Sequence, residues 1–175
     1  MHLHISDPLP LSAEDALVLI RDQMPTLVPY LEGTSAITVL ERSDDGDTSK
    51  IMNRWQADSS QAPRALRPFL TPELLSWIDH ATWSREARQA RWRLEPAMGG
   101  SLFTCSGTTT IIPKGDTSEL SIEVDFEVYP AQVPGIPKLL ARGLKPQVER
   151  FIGDILTSSL RQLSQSISRY ADEQR

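Results

Sequence analysis

The sequence lacks several features that define whole classes of protein. Its only cysteine is Cys105, so no disulfide can form within the chain. Hydrophobic residues make up 39% of the 175 residues, and no apolar run approaches the roughly 18 residues that read as a membrane-spanning helix. The first residues show neither the basic start nor the apolar core of a secretory signal. We therefore expect one domain over residues 1–175, in a reducing cytoplasm.

Positive charge and the common ligand motifs are also scarce. The formal net charge is -5, which argues against a general nucleic-acid binder. The sequence contains no phosphate-binding loop, no dinucleotide fingerprint, no HExxH and no paired-cysteine zinc spacing. We therefore expect no cofactor, no metal and no nucleic-acid partner, and the totals leave the oligomeric state open.

What the sequence does contain is one long amphipathic stretch, from Gly143 to Tyr170. Its apolar residues recur mostly every three or four positions, which predicts a helix with a wide apolar face. They are Leu144, Val148, Phe151, Ile152, Ile155, Leu156, Leu160, Leu163, Ile167 and Tyr170. Pro146 suits the first turn of such a helix, where its missing N–H costs nothing. This helix needs a large apolar surface to lie against.

The preceding residues favour strands. The clearest is Glu119–Tyr129, whose strict alternation predicts one buried and one wet face of an antiparallel sheet. Further strands are predicted at His2–Ser6, Ser35–Arg42, Ser49–Ala57, Trp77–Ser84, Gln89–Glu95 and Leu102–Ile112. Trp77–Ser84 could also end a preceding helical turn, and a strand is favoured because Gln89–Glu95 then forms its hairpin partner. Between the first two strands, Ser12 can cap a short helix with Asp15 three residues on. A second short helical turn is predicted at Thr26–Leu31.

This order of elements resembles the helix-grip fold of the Bet v 1-like, START-related superfamily, which includes lipid-transfer proteins and polyketide cyclases. The local features are Ser12–Asp15 before the first helix, the region of Trp83 and Trp92, and the tail Val148–Ile152. The resemblance covers essentially the whole chain and is to small bacterial members. It implies an α+β fold, with a curved antiparallel sheet of about seven strands around the long C-terminal helix. It carries over no catalytic residue, because the superfamily has no shared catalytic motif.

The resemblance also implies a cavity between sheet and helix, which in relatives holds lipids, polyketides or other apolar molecules. The predicted ligand-binding residues are Trp92, Ile122, Val124, Phe126, Phe151, Ile155 and Ser159. Ser159 and Ser166 fall near the middle of the apolar arc, so they either line the cavity or bond back to the carbonyl one turn earlier. Movable segments at Ser59–Pro68 and Pro130–Pro137 are expected to gate access.

Three other groups of residues have competing interpretations. His2 and His4 share one strand face and could bind a metal with His80 or an acid. An outward orientation toward cross-strand acids explains them without a metal; these acids are Glu123, Asp125 and Glu127. The arginines around Trp92 could hold an anionic group or form a solvated face; they are Arg85, Arg88, Arg91 and Arg93. Cys105 could be a reactive nucleophile, but no histidine stands in a recognisable arrangement with it, so we expect a buried structural thiol.

We expect the protein to bind an apolar or amphipathic small molecule, lipid-like or polyketide-like, rather than to catalyse a reaction. An enzyme of the polyketide cyclase or aromatase type is the alternative, but it needs a proton-transfer group inside the cavity. The inward strand positions that the sequence assigns are all apolar, which disfavours it. A second alternative is a protein-interaction module without a cavity.

Overall fold

The computed structural model describes residues 1–58, 71–73, 75–100, 103–129, 132 and 138–174, and in the last helix it describes side chains at 143, 146, 157 and from 159 on. The elements follow in the order β1 His2–Leu9, α1 Ala13–Asp22, a 3-10 helix Met24–Tyr30, β2 Thr34–Asp45, β3 Thr48–Ala57, β4 Ser76–Ser84, β5 Gln89–Pro96, β6 Phe103–Lys114, β7 Thr117–Val128 and α2 Lys138–Glu173.

The seven strands form one antiparallel sheet in the order β1-β7-β6-β5-β4-β3-β2. From β2 to β7, each strand pairs with the next one along the chain, whereas β1 pairs with β7. The long helix follows the sheet, and the short helices follow β1. This is the predicted helix-grip α+β fold. The loop Ser59–Pro68 and the prolines of the connector at 130, 134 and 137 lie outside the described residues.

Alternation in β7 determines which face of the sheet is buried. Its inward side chains, from Ser118 through Leu120 to Val128, are all buried, while the residues between them are partly or fully exposed. They pack with buried residues of other elements, including Leu9, Leu17, Ile111 and Ile167. We call this side of the sheet, which faces the helices, the inner face.

Capping fixes the start of α1 as predicted. The backbone N–H of Asp15 donates to Ser12 Oγ at 3.1 Å, and that hydroxyl donates to the Asp15 carboxylate at 2.6 Å. An N-cap of this kind satisfies a backbone N–H that has no partner within the helix.

The 3-10 helix docks on the end of α2, which corrects the interpretation of Ser166. The Ser166 hydroxyl is fully buried and donates to the Tyr30 carbonyl oxygen at 2.7 Å. The Tyr30 and Tyr170 rings meet edge to face with centroids 5.9 Å apart. Ser166 therefore neither lines a cavity nor bonds back within its own helix. Its hydroxyl instead satisfies the carbonyl of the last residue of the 3-10 helix.

The helix α2 differs from the prediction at its start. It begins at Lys138 rather than Gly143, so Pro146 lies inside the helix and not in its first turn. In the part whose side chains are described, the buried or partly buried apolar face includes Leu160, Leu163, Ile167, Tyr170 and Ala171.

Candidate functional site

A row of side chains crosses the inner face at its middle. Cross-strand pairing places Phe126 opposite Cys105, Cys105 opposite Leu94, Leu94 opposite Asp79, and Asp79 opposite Asn53. We call these five residues the central row. It is apolar on β7, β6 and β5, where Phe126 packs against Phe103 with ring centroids 5.9 Å apart. It becomes polar on β4 and β3.

Tryptophans flank the central row on both sides. Trp92 lies opposite Gly107, and its indole N–H donates to Thr109 Oγ1 at 3.0 Å. A Cβ at Gly107 would meet Cζ2 of that indole at 2.5 Å, so the ring lies directly over the glycine. On the other side, Trp55 and Trp77 stack with centroids 6.0 Å apart. Flat apolar surfaces therefore border the polar end of the row.

Of the residues predicted to contact a ligand, four lie on the inner face of the sheet and three belong to α2. Ile122, Val124 and Phe126 lie on the inner face and are buried, as the alternation predicts, and Trp92 is partly buried beside them. Ser159 is exposed, and its contact with a ligand stays a prediction. The Phe151 and Ile155 side chains lie outside the described residues, and their contact with a ligand stays a prediction.

Sequence reasoning missed Asp79, which corrects the expectation that inward positions are all apolar. Oδ1 of Asp79, Oδ1 of Asn53 and Nε1 of Trp55 are buried and have no hydrogen-bond partner within the described part of the chain. The available signal was the two-residue spacing of Asp79 from Trp77 and Ala81. This signal was not recognised, because polar residues occur on both faces of Trp77–Ser84. Without an alternation of apolar and polar positions, the sequence did not show which face of this strand is buried.

Burial governs the electrostatics of the central row. It raises the pKa of the Asp79 carboxyl to about 7, although the neighbouring Trp55 and Asn53 side chains lower that pKa in part. Burial also raises the pKa of the Cys105 thiol to about 12, with a further contribution from Asp79. Cys105 is therefore a buried thiol that does not ionise at neutral pH, in agreement with the structural role expected for it.

The histidines of β1 face away from this site. The Nδ1 atom of His2 lies 3.0 Å from the Asp125 carboxylate, which confirms that pair. His4 is paired in register with Glu123, but its ring bonds the Ser121 hydroxyl at 3.1 Å, so the expected acid is not its partner. Within the described ranges, no group of three His, Cys, Asp or Glu side chains could hold a metal ion.

Two of the four arginines near Trp92 lie on a solvated face, which was one of the two interpretations. Arg91 and Arg93 are exposed on the outer face of β5, opposite in direction to Trp92. Arg93 pairs with Glu95 at 3.1 Å, and Arg85 pairs with Glu14 at 2.6 Å.

The outer face also carries a shallow depression of about 430 Å³ over β2, β3 and β4, with Met52, His80 and Thr82 in its lining. It contains none of the predicted ligand-binding residues. No described helix is both long and apolar enough to cross a bilayer.

Comparison with known proteins identifies the fold. No protein family model matches the chain, and no curated protein does. Among solved structures, the ZhuI aromatase/cyclase from a Streptomyces species aligns with a TM-score of 0.67 and 11% identity, over 98% of this chain and 93% of its own. The chain has the Bet v 1-like, START-related fold.

Two further structures extend the likeness. Norcoclaurine synthase from Thalictrum flavum, in complex with dopamine and hydroxybenzaldehyde, aligns with a TM-score of 0.62 and 14% identity, over 100% of this chain and 88% of its own. A START superfamily protein from Mycobacterium smegmatis aligns with a TM-score of 0.58 and 17% identity, over 99% of both chains. At these identities the likeness establishes the fold alone.

Proposed function

We propose that the protein binds an apolar or amphipathic small molecule, lipid-like or polyketide-like, between the inner face and α2. The observation that carries this proposal is the inner face itself. It has an apolar floor, tryptophans on either side of the central row and a few convergent polar groups at one end. This combination is typical of small-molecule sites. Aromatic ligands in norcoclaurine synthase support it, since that protein shares the fold.

Each predicted residue has a role in this proposal. Ile122 and Val124 form the floor, Trp92 and Phe126 the walls, and Phe151, Ile155 and Ser159 complete the site from the helix. Binding is driven by removal of ligand carbon from water, at roughly 25 cal/mol per Å². Both wall residues are aromatic, which favours a ligand with flat ring surfaces.

Two tryptophan substitutions on one strand test the site. Leu94 is partly buried in the central row, whereas Arg93 beside it points outward. Leu94→Trp should fill the ligand space and abolish uptake of an anilinonaphthalene sulfonate probe without lowering Tm, while Arg93→Trp should leave probe fluorescence unchanged. If the space is already packed, Leu94→Trp should instead destabilise the fold by ~1–3 kcal/mol, which would contradict the proposal.

Asp79 favours one second candidate, an enzyme of the polyketide cyclase or aromatase type. Such chemistry needs a group that can move a proton inside the cavity, and an acid works best when its pKa lies near the working pH. Asp79 meets that requirement, with a pKa of about 7. A poly-β-ketone thioester mimic tests this candidate: wild-type protein should cyclise it with loss of water, and Asp79→Asn should bind it without turnover. No product from the wild type would exclude this reaction.

A further inference from the structure

Three polar atoms on adjacent strands have no partner in the described chain. Asp79 on β4 lies directly opposite Asn53 on β3, and Trp55 is the next inward residue along β3. Oδ1 of both polar side chains and the indole nitrogen are buried. Trp55 and Asn53 lie close enough to Asp79 to lower the pKa of its carboxyl through hydrogen bonding. Leaving a buried polar atom unpaired is unfavourable, and a polar group of a ligand placed among these three atoms would complete the hydrogen bonds that the described chain leaves unmade.

The chemistry of these atoms limits which group can complete them. An indole N–H only donates, and an amide oxygen only accepts. The completing group must therefore accept one hydrogen bond and donate another. A hydroxyl does both. An ammonium cannot accept from the indole, and a ketone cannot donate to the Asn53 oxygen. A carboxylate cannot donate to that oxygen either, and Asp79 in its ionised form would repel it.

The surroundings define the rest of the ligand. Trp55 and Trp77 present stacked rings beside the polar atoms, and on the other side Asp79 is paired with the apolar Leu94. A molecule whose hydroxyl reaches Asp79 must therefore lay its remaining atoms along aromatic and aliphatic surface. A ring system suits that surface because aromatic side chains favour stacked or edge contacts with other rings.

We propose, on the basis of the function proposed above, that Asp79, Asn53 and Trp55 form the polar end of the ligand site and bind the hydroxyl group of an otherwise apolar, ring-containing molecule. The hydroxyl accepts a hydrogen bond from the Trp55 indole and donates one to the Asp79 carboxylate or the Asn53 carbonyl oxygen. A hydrogen bond to a charged acceptor is stronger than one between neutral groups. This end of the site therefore orients the ligand along the central row.

A matched set of naphthalene derivatives tests this assignment by calorimetry on the full chain. We expect a naphthol to bind roughly 10-fold tighter than naphthalene, because its hydroxyl forms hydrogen bonds with these groups that naphthalene cannot form. In Asp79→Leu that preference should disappear while naphthalene still binds. Trp55→Phe should keep the stacking with Trp77 and reduce the preference in part. Asp125→Leu, on the exposed outer face of β7, should preserve it.

The outcomes separate the two proposals. Equal binding of naphthol and naphthalene by the wild type would overturn the hydroxyl assignment while leaving apolar binding intact. Binding of neither compound would overturn the proposed function itself. Tighter binding of a naphthylmethylammonium ion or of naphthoate than of naphthol would replace the hydroxyl with an ammonium or a carboxylate group, and so overturn the assignment.

Discussion

Gly107 shows how one missing side chain shapes the inner face. A Cβ there would lie 2.2 Å from the Glu123 carbonyl oxygen and 2.5 Å from the Trp92 ring. The backbone oxygen cannot yield without disturbing the β6–β7 pairing. Gly107→Ala should therefore destabilise the protein by at least the ~1–3 kcal/mol typical of overpacking, as measured by urea denaturation. Gly143→Ala is the control: its Cβ meets open space in a helix, so it should stabilise by roughly 0.5–1 kcal/mol. Equal stability of the Gly107 variant and wild type would contradict the close approach.

Phe126 tests how tightly the central row is packed. The side chain is 6% exposed, and Phe126→Ala should cost ~3–5 kcal/mol if it is fully packed, and less if it borders a void. Glu123→Ala, on the wet face of the same strand, should stay within about 0.5 kcal/mol of wild type. Chemical denaturation of both variants measures the difference, and a Phe126 value near zero would show that the ring contributes nothing to the core.

For single residues, the sequence predicted the buried orientation of a side chain where apolar and polar residues alternate along the strand. Ile122, Val124 and Phe126 were assigned correctly because polar residues stand between them along β7. Asp79 was not, since Ile78 and His80 on either side of it gave β4 no clear period. Ser166 was placed on the apolar arc correctly, but its partner is a carbonyl more than a hundred residues away in the chain. Spacing within one helix cannot reveal such a partner.

Between elements, an ion-pair network joins the end of α1 to the edge strand β2. Arg21 bonds Asp22 with two contacts of 2.7 Å, Arg42 reaches the same carboxylate at 2.9 Å, and Arg42 also bonds Asp44 at 2.8 Å. Ser49 on β3 donates to Asp44 at 2.6 Å. The network thus connects three elements at one end of the sheet.

This network predicts a loss of stability in acid. The Arg42 and Ser49 hydrogen bonds lower the pKa of Asp44 from 3.8 to about 2, and Arg21 and Arg42 lower that of Asp22. A lowered folded pKa stabilises the protein above the unfolded pKa, and that contribution is lost as pH falls through the folded pKa. Thermal unfolding should therefore show a smaller decrease in Tm between pH 3.8 and about 2 for Arg42→Gln than for wild type. Arg93→Gln, which lies outside the network, should show the same dependence of Tm on pH as wild type. The same dependence in Arg42→Gln would contradict the role of the network.

The first residue of α2 could not be predicted from the sequence. Pro146 was expected in the first turn because proline lacks the N–H that an interior turn uses. The helix nevertheless begins eight residues earlier, at Lys138. Proline position gives a preference for a helix start and does not fix it. Strand order was more predictable, since each strand from β2 to β7 pairs with the next one along the chain, and the β1–β7 pairing follows from the resemblance.

For the whole molecule, the fold could be predicted from the order of elements, while the polar end of the site could not. The fold depends on periodicity and turn residues that are local in sequence. The site depends on cross-strand register, which brings together Asn53, Asp79 and Cys105 from three separate strands. The register between two strands depends on how their side chains pack, and the spacing of residues within one strand does not determine it.

The central claim is that an apolar ligand binds on the inner face. The most direct measurement is a set of NMR contacts between naphthol protons and the methyl groups of the folded, methyl-labelled protein. We predict contacts with Leu94 and Val124 on the inner face and none with Ile78, which lies on the outer face of β4. Contacts confined to Ile78 and to Met52, in the outer depression, would place binding on the opposite side of the sheet and contradict the account.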